Sequence, residues 1–317
     1  MKFNASINTL TSNFIFIGGV SRSGKSFLCP IVSSFKKTEM FMINTLAENI
    51  SYANRLKQMN KGISEYLIKL TLNEHVYNLN IGRSVNLRKR DYSSIYNYSN
   101  SKMYLKRMHS KDEGDILIKK ILKQNHFYPV MFHDVLINPK ILLDCYQNAK
   151  IIYIDRHPIE LINEWILKKY SSSFWKSPRS NTLAFKVNEN FYPYWSLKKV
   201  GLIDASKNEI EKTVFSLGSL LIQQKKNFRV LGKKYKKKIL IVKFDDLVSE
   251  TDSQINKICK FINVEQSNFT NKVIKKEKGN RIINYSTRNK LRSEYLKNMN
   301  LVSKNFYFKL ERMYEKK

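Results

Sequence analysis

The sequence predicts an α/β fold, a central parallel β-sheet flanked by helices, and two observations lead to this prediction. In three segments a short apolar stretch is followed by an amphipathic stretch with helical spacing, which is the pattern of strand–helix units in parallel sheets. In addition, neither an internal repeat nor a linker rich in Pro, Gly or Ser divides the chain. We therefore expect residues 1–317 to form one domain.

The first two units contain the clearest strands. Phe14–Gly18 is a short apolar run closed by glycine, which predicts a buried strand, and residues 26–35 predict the helix that follows. In the second unit, residues 151–154 form the predicted strand, and Pro158 occupies the first helical position, where its missing N–H costs nothing. Apolar residues then recur on one helical face, namely Ile159, Ile162, Trp165 and Ile166.

The third unit lies near the C-terminus. It contains Ile239–Lys243 as a strand and Thr251–Ile262 as an amphipathic helix. A weaker strand is predicted at residues 130–132, between helices near residues 116–123 and 139–146.

The remaining segments have less regular patterns. Residues 208–235 predict one long helix. Residues 71–112 and 171–207 lack clear periodicity, so we expect them to form loops and lids that face an acceptor.

The charge of the chain is strongly positive. It contains 57 Lys and Arg against 26 Asp and Glu, a formal net charge of +31. A field of this sign attracts nucleotides, nucleic acids, anionic membranes and acidic polysaccharides. The chain is also rich in Lys, Asn, Ile and Tyr, a mixture that a genome poor in G and C would produce in any protein. Both explanations of the charge stay open.

Cysteine spacing and hydropathy indicate the cellular compartment in which the protein is expected. Cys29, Cys145 and Cys259 are far apart and odd in number, which indicates neither a disulfide framework nor a zinc site. No apolar run reaches the roughly 18 residues of a membrane span. Residues 1–13 are too polar for a secretion signal. We expect a cytoplasmic protein without a transmembrane segment.

A phosphate-binding loop is predicted between the first strand and helix. Residues 19–26, Gly-Val-Ser-Arg-Ser-Gly-Lys-Ser, satisfy the pattern G-x-x-x-x-G-K-[ST] at every fixed position. The glycines let the backbone turn tightly and aim N–H groups at bound oxygens, and the helix that follows adds its positive end. Lys25 is placed to reach the group being transferred, and Ser26 to donate a hydrogen bond.

The loop alone indicates an ATP-dependent kinase. A kinase needs magnesium, held by Ser26 and an acidic residue at the end of a strand, and both Asp134 and Asp155 meet that description. A third function, non-catalytic polyanion binding, is supported by the charge and does not explain the loop.

Three segments resemble the sulfotransferases that use 3′-phosphoadenosine 5′-phosphosulfate (PAPS) as sulfuryl donor. The first is the loop, which in this family typically reads Pro-Lys/Arg-Ser-Gly-Thr-Thr after a strand. Arg22 and Ser23 match this motif, Ser21 replaces the proline, and Lys25 and Ser26 replace the two threonines.

The other two segments lie further along the chain. In "IIYIDRHPIELINEW", Arg156 and Pro158 match the family segment that holds the donor's 3′-phosphate. Glu164 stands where the family usually has serine, and its carboxylate would repel a phosphate. "VKFDDLVSETDSQINKICKFINV" resembles the family's strand, acidic pair and helix near the C-terminus. The resemblance implies a sulfotransferase fold of the P-loop NTPase-like type.

The resemblance also implies roles for individual residues. Arg22 and Lys25 would stabilise the charge that grows on the bridging oxygen while the sulfuryl group moves to a hydroxyl or amine. No metal is required for this reaction. Donor contacts are expected from the loop and from two further arginines, namely Gly19, Ser21, Arg22, Ser23, Gly24, Lys25, Ser26, Arg156 and Arg281.

The family places a His or Glu near the loop as general base. Glu48, downstream of the loop helix, is the first candidate by its distance from the motif, and His133 after the 130–132 strand is the second. If neither residue is catalytic, Glu48 is expected to be a solvated helix residue, and His133 a strand-end histidine bonded to backbone.

Aromatic and basic residues are concentrated in residues 83–109 and 170–195. They would bind a sugar face or an anionic acceptor by stacking and ion pairing, and single-stranded nucleic acid would suit the same pattern. For many of these residues we favour a third interpretation, an aromatic core with solvated lysines around it. We expect PAPS-dependent sulfuryl transfer to a hydroxyl or amine of an unidentified acceptor, and no nucleic-acid partner. A carbohydrate or another anionic molecule is one candidate acceptor, and lipid, peptide and small phenol are open as well. The identity of the acceptor stays open.

Overall fold

The computed structural model describes residues 6–98, 100–171 and 180–316. In this part of the chain there is one five-stranded parallel sheet and one antiparallel hairpin. The strands of the sheet are β1 Phe14–Gly18, β2 Met42–Ile43, β3 Tyr128–Met131, β4 Lys150–Asp155 and β7 Ile239–Lys243, in the order β2-β3-β1-β4-β7. The hairpin consists of β5 Ala184–Val187 and β6 Asn190–Pro193. The predicted α/β fold with a central parallel sheet is confirmed.

The helices cover both faces of the sheet. In chain order they are α1 Lys25–Ser33, α2 Thr45–Arg55, α3 Lys61–Ile81, α4 Ser101–Arg107, α5 Gly114–Gln124, α6 Pro139–Cys145, α7 Pro158–Leu167, α8 Val200–Asp204, α9 Glu209–Arg229, α10 Lys233–Lys236, α11 Phe244–Ser249, α12 Thr251–Ile262, α13 Thr270–Lys276, α14 Tyr285–Lys297 and α15 Leu301–Glu315. Helices α2 to α6 contribute to the core on one face, and α1, α11, α12 and α13 to the core on the other. Helices α7, α9, α14 and α15 form a third apolar cluster beside the sheet.

The central strand β1 is buried on both faces because its side chains alternate. Phe14 and Phe16 pack into the α2–α6 side, and Ile15 and Ile17 into the α1 side. A continuous apolar run is what such a strand requires, and this run made β1 visible in the sequence.

Most predicted elements agree with the structure to within a few residues. β1, β7 and α12 have the predicted bounds, and α7 begins at Pro158. The prediction of one helix over residues 208–235 is wrong, because α9 ends at Arg229 and Gly232, at the N-terminal boundary of α10, interrupts the helical run.

The expectation of loops over residues 71–112 is also wrong in part. α3 continues to Ile81 and α4 lies within the segment. α3 buries Ile68, Leu72, Val76 and Leu79, which have helical spacing, but polar residues between them hid the pattern.

The aromatic residues of 83–109 divide between the core and the surface, since Tyr92 and Tyr96 are each 46% exposed. Tyr104 is fully buried, and Tyr92 stacks on Phe41 at a centroid distance of 5.7 Å. In the other irregular segment the structure describes the hairpin and α8, whereas residues 172–179 lie outside the described residues.

A buried ionic network attaches α4 to the sheet side of the core. The carboxylate of Glu39 is fully buried and accepts two hydrogen bonds from Arg107, both at 2.8 Å. Tyr104 donates to the same carboxylate at 2.5 Å, and His126 Nδ1 lies 2.7 Å from it. Burial opposes ionisation, but these hydrogen bonds and the charge of Arg107 outweigh it and lower the pKa of Glu39 to about 2.

None of the described helices combines the length and the apolar character needed to cross a bilayer.

Candidate functional site

The loop between β1 and α1 is shaped by its glycines. Gly24 has φ of 110°, and a Cβ at this position would lie 2.5 Å from the ring of Phe244, so conformation and space both require glycine. The neighbouring Ser23 is fully buried, and its hydroxyl has no hydrogen-bond partner among the described residues. Buried polar groups without partners are rare in folded proteins. The loop is therefore suited to receive the polar atoms of a ligand.

Lys25 lies inside this loop. Its Nζ donates to the carbonyl oxygens of Gly19, at 2.5 Å, and Val20, at 2.8 Å. Burial lowers the pKa of Lys25, against the negative charges of Asp134 and Glu48. The ammonium group is thus held by backbone carbonyls, contacts that an anionic ligand can replace.

Helix α7 holds the outer side of the loop. Arg22, at φ 73°, donates from Nε and Nη2 to Oε2 of Glu164, both at 2.7 Å. The indole N–H of Trp165 donates to the carbonyl oxygen of Ser21 at 3.0 Å. Glu164, which the sequence presents as a source of repulsion, is therefore the counter-charge of the loop arginine.

Arg156 lies directly beside the loop. Its Nη1 donates to the carbonyl oxygen of Arg22 at 2.8 Å, and its guanidinium lies 4.6 Å from the ring centroid of Phe244. Arg281 lies 5.8 Å from the same ring. The structure thus brings Gly24, Arg156 and Arg281 together around one aromatic side chain. Ser26 is exposed at the start of α1.

A chain of charges that sequence reasoning missed orients Arg156. Glu160 accepts from Arg156 Nε at 2.8 Å and from Arg288 at 2.6 and 2.9 Å. Asp245 holds Arg288 by two further hydrogen bonds, at 2.7 and 2.8 Å. The spacing of Arg156 and Glu160, one helical turn apart, was an available signal for their pairing. Nothing local in the sequence points from Glu160 to Arg288 or from the loop to Phe244.

The two candidate bases lie together at the end of β3. Glu48 is buried, and its Oε1 accepts from the Tyr52 hydroxyl and from the backbone N–H groups of His133 and Asp134. Its Oε2 lies 3.1 Å from Nδ1 of His133. Burial would raise the pKa of Glu48, but the charge that His133 carries when it is protonated and these hydrogen bonds lower it. Glu48 is therefore an ionised, buried group, and the alternative of a solvated helix residue is wrong.

His133 is placed differently from Glu48. Its side chain is 42% exposed and borders a cavity beside the loop. With Nδ1 directed to Glu48, the other ring nitrogen is available to a molecule in this cavity.

The two aspartates that meet the description of a magnesium ligand have different partners. Asp134 is buried next to Glu48, whereas Asp155, at the end of β4, forms an ion pair with Lys225 at 2.9 Å. Across the part of the chain that the structure describes, no group of three or more His, Cys, Asp or Glu side chains is arranged to hold a metal ion.

The cavity has a volume of about 240 Å³. Ser21 of the loop and the titratable residues Glu48, His133 and Asp134 line it. Its aromatic lining consists of Tyr52, Trp165, Tyr170, Tyr194 and Trp195. The loop and both candidate bases therefore border one cavity with a largely aromatic lining.

Comparison with known proteins gives one match across nearly the whole chain. The sequence model of the sulfotransferase domain matches residues 13–316. No curated protein gives a significant match to the chain.

The solved structures that match the chain are distant in sequence. The sulfotransferase domain of the Synechococcus PCC 7002 olefin synthase is 12% identical, with 100% of this chain and 99% of that chain covered and a TM-score of 0.48. The sulfotransferase domain of the curacin biosynthetic pathway is 15% identical, with coverages of 83% and 77% and a TM-score of 0.42. A retinol dehydratase in complex with androsterone and the inactive cofactor PAP is 11% identical, with coverages of 96% and 81% and a TM-score of 0.39.

Proposed function

The chain belongs to the sulfotransferase domain family, and on that premise we propose that it transfers a sulfuryl group from PAPS to a hydroxyl or amine. The acceptor is bound in the aromatic cavity beside the loop. Adenosine 3′,5′-bisphosphate (PAP) is the second product.

One observation carries this proposal. Arg156 Nη1 lies 2.8 Å from the carbonyl oxygen of Arg22, so the predicted 3′-phosphate arginine and the predicted phosphosulfate loop form one surface. Arg281 joins them over the ring of Phe244. Cations at adjacent points suit a ligand with two phosphorylated ends, because each phosphate gains a charge-assisted hydrogen bond.

The proposed reaction is a direct transfer of the sulfuryl group, and the cations of the loop favour it. The acceptor oxygen or nitrogen forms a bond to sulfur while the bond from sulfur to the bridging oxygen breaks, and PAP takes the electron pair. Arg22 and Lys25 favour this step because the negative charge on the bridging oxygen grows only as the bond breaks.

His133 is the general base in this proposal, and Glu48 positions it. Glu48 Oε1 already accepts three hydrogen bonds, and a carboxylate with a lowered pKa is a weak proton acceptor. His133 donates from Nδ1 to Glu48 and takes the acceptor's proton on Nε2. Glu48 also stabilises the imidazolium that results.

Calorimetry with PAP tests the donor site. We expect PAP to bind without a metal, and ATP with magnesium to bind far more weakly. Arg156→Ala should weaken PAP binding by about a hundredfold, because a charge-assisted contact to a phosphate is worth about 1.5–3 kcal/mol and the loop loses a positive neighbour.

Arg55→Ala is the matched control for this measurement. Arg55 is an exposed arginine whose Nη2 donates to Asn227 Oδ1 at 2.8 Å, and its removal should leave PAP affinity unchanged. Preference for ATP, or equal PAP affinity in Arg156→Ala and the wild type, contradicts the proposed donor site.

Glu164→Gln should bind PAP more tightly than the wild type, by up to about tenfold. The wild-type carboxylate competes with the donor for Arg22 and repels it, whereas the amide oxygen competes more weakly and the amide carries no charge. Titration of both proteins with PAP at equal ionic strength measures the difference.

Glu265→Gln provides the comparison for this gain. It also removes a carboxylate that pairs with a cation at 2.7 Å, but its partner Lys36 lies beyond the other end of α1. Weaker PAP binding by Glu164→Gln would mean that Glu164 holds Arg22 in its productive position.

A further inference from the structure

The size of the acceptor cavity limits what it can enclose. Its volume of about 240 Å³ lies below the roughly 300–1,000 Å³ of pockets that bind drug-sized ligands. One ring with short substituents suits this volume. A polymer would enter it with a single unit.

Five aromatic rings form a continuous belt along the cavity wall. Consecutive ring centroids are 4.8 Å apart for Tyr52 and Tyr194, 5.0 Å for Tyr194 and Trp195, 6.2 Å for Trp195 and Trp165, and 5.9 Å for Trp165 and Tyr170. Aromatic faces bind apolar rings and, through their quadrupole, ammonium groups. The aromatic belt is therefore compatible with a cationic ring compound.

Asp134, at one end of the aromatic belt, is a buried carboxylate that accepts from neutral donors. Tyr194 donates to it at 3.1 Å and Gln224 at 3.3 Å. Among the described residues, no Lys, Arg or His nitrogen lies within 4.0 Å of its oxygens. Burial and the charge of Glu48 raise the pKa of Asp134, against the more remote charges of His133 and Lys25. A buried carboxylate without a cationic partner is unfavourable, and a cation in the cavity would relieve it.

We propose that the acceptor is a small ring compound that carries an ammonium group, which Asp134 and the aromatic belt bind. This inference rests on the proposed function, since it assigns the substrate class of the same site. His133 precedes Asp134 in the chain and borders the same cavity. The group that is sulfated and the ammonium group therefore belong to one small molecule, such as an aromatic amine with a phenolic hydroxyl or an amino sugar.

Two sets of compounds that differ in charge test the inference. Tyramine, p-cresol and 4-hydroxyphenylacetate form one set, and glucosamine, glucose and glucuronate the other. Each compound is titrated calorimetrically into the protein saturated with PAP. In at least one set, the ammonium compound should bind about tenfold or more tightly than the neutral one, and the anion most weakly.

Asp134→Asn keeps the shape of the side chain and removes its charge. The advantage of the ammonium compound should fall below about threefold in this variant. Asp204→Asn is the control, because Asp204 accepts a hydrogen bond from Tyr192 at 2.5 Å and neither residue lines the cavity. The control should keep the full preference for ammonium.

The outcomes separate this inference from the proposed function. The inference is overturned if neutral or anionic compounds bind as tightly as ammonium compounds, if Asp134→Asn keeps the preference, or if no compound of either set binds. The PAP titration is evaluated first, because failure of PAP to bind contradicts the proposed function instead. In that case the same compounds, titrated into the free protein, still decide the charge preference of the cavity.

Discussion

His133→Ala is expected to lower kcat for sulfuryl transfer by roughly two to four orders of magnitude, the usual contribution of a positioned general base. PAP affinity should stay unchanged, because His133 borders the proposed acceptor cavity and the proposed donor contacts come from the loop and Arg156. Sulfuryl transfer from labelled PAPS to the acceptor that binds most tightly, together with calorimetry of PAP, measures both quantities. Added imidazole should restore part of the rate, since it supplies the missing proton acceptor.

Two further variants test whether the loss of rate is specific to His133. His109→Ala removes an exposed histidine elsewhere and should keep the wild-type rate. Glu48→Gln should lower kcat less than His133→Ala does, because the amide keeps a hydrogen-bonding group beside Nδ1 but no longer stabilises the imidazolium. A rate within a few fold of the wild type in His133→Ala, or a larger loss in Glu48→Gln, would exchange the roles assigned to the two residues.

Glu39→Gln is expected to reduce the free energy of unfolding by about 3–5 kcal/mol, the usual cost of breaking a buried ion pair by removing one partner. Arg107 loses the carboxylate that binds it through two hydrogen bonds, and Tyr104 and His126 lose their acceptor. Urea unfolding of the variant and the wild type at neutral pH measures this difference.

The effect of Glu39 should depend on pH in a definite direction. The pKa of Glu39 is lowered from 4.5 to about 2 in the folded protein, so its carboxylate stabilises the fold above pH 4.5. This stabilisation is lost as pH falls from 4.5 towards 2, and the wild type and Glu39→Gln should converge there. Asp112→Asn, which removes the partner of an exposed ion pair with Lys120, should show no such loss at neutral pH. A constant difference across this range would rule out ionisation of Glu39 as its origin.

Local patterns explain why so much of the fold was predictable. A strand buried on both faces is a continuous apolar run, and an amphipathic helix repeats every 3.6 residues, so β1, β7 and α12 are visible in short windows. α3 was missed for a related reason. It buries only a narrow row of residues among many polar ones, and its helical state depends on packing against α2 and α6.

The candidate site also has one part that local sequence patterns predict and another part that they do not. The glycines, Lys25 and Arg22 lie within residues 18–25, so their spacing alone predicts an anion-binding loop. The contacts that orient these groups join residues more than a hundred positions apart, such as Arg22 with Glu164 and Glu160 with Arg288. No periodic pattern in the sequence predicts such pairs, because they form only where the ends of different strands and helices meet.

The sequence by itself determined the parallel sheet, the loop and the family, because each depends on residues that are neighbours in the chain. Only the tertiary structure brings both candidate bases to one cavity, and it alone shows where Glu164 directs its charge and that a buried aspartate ends a belt of aromatic rings. These features depend on distances between side chains from separate elements, and packing of the whole chain sets those distances.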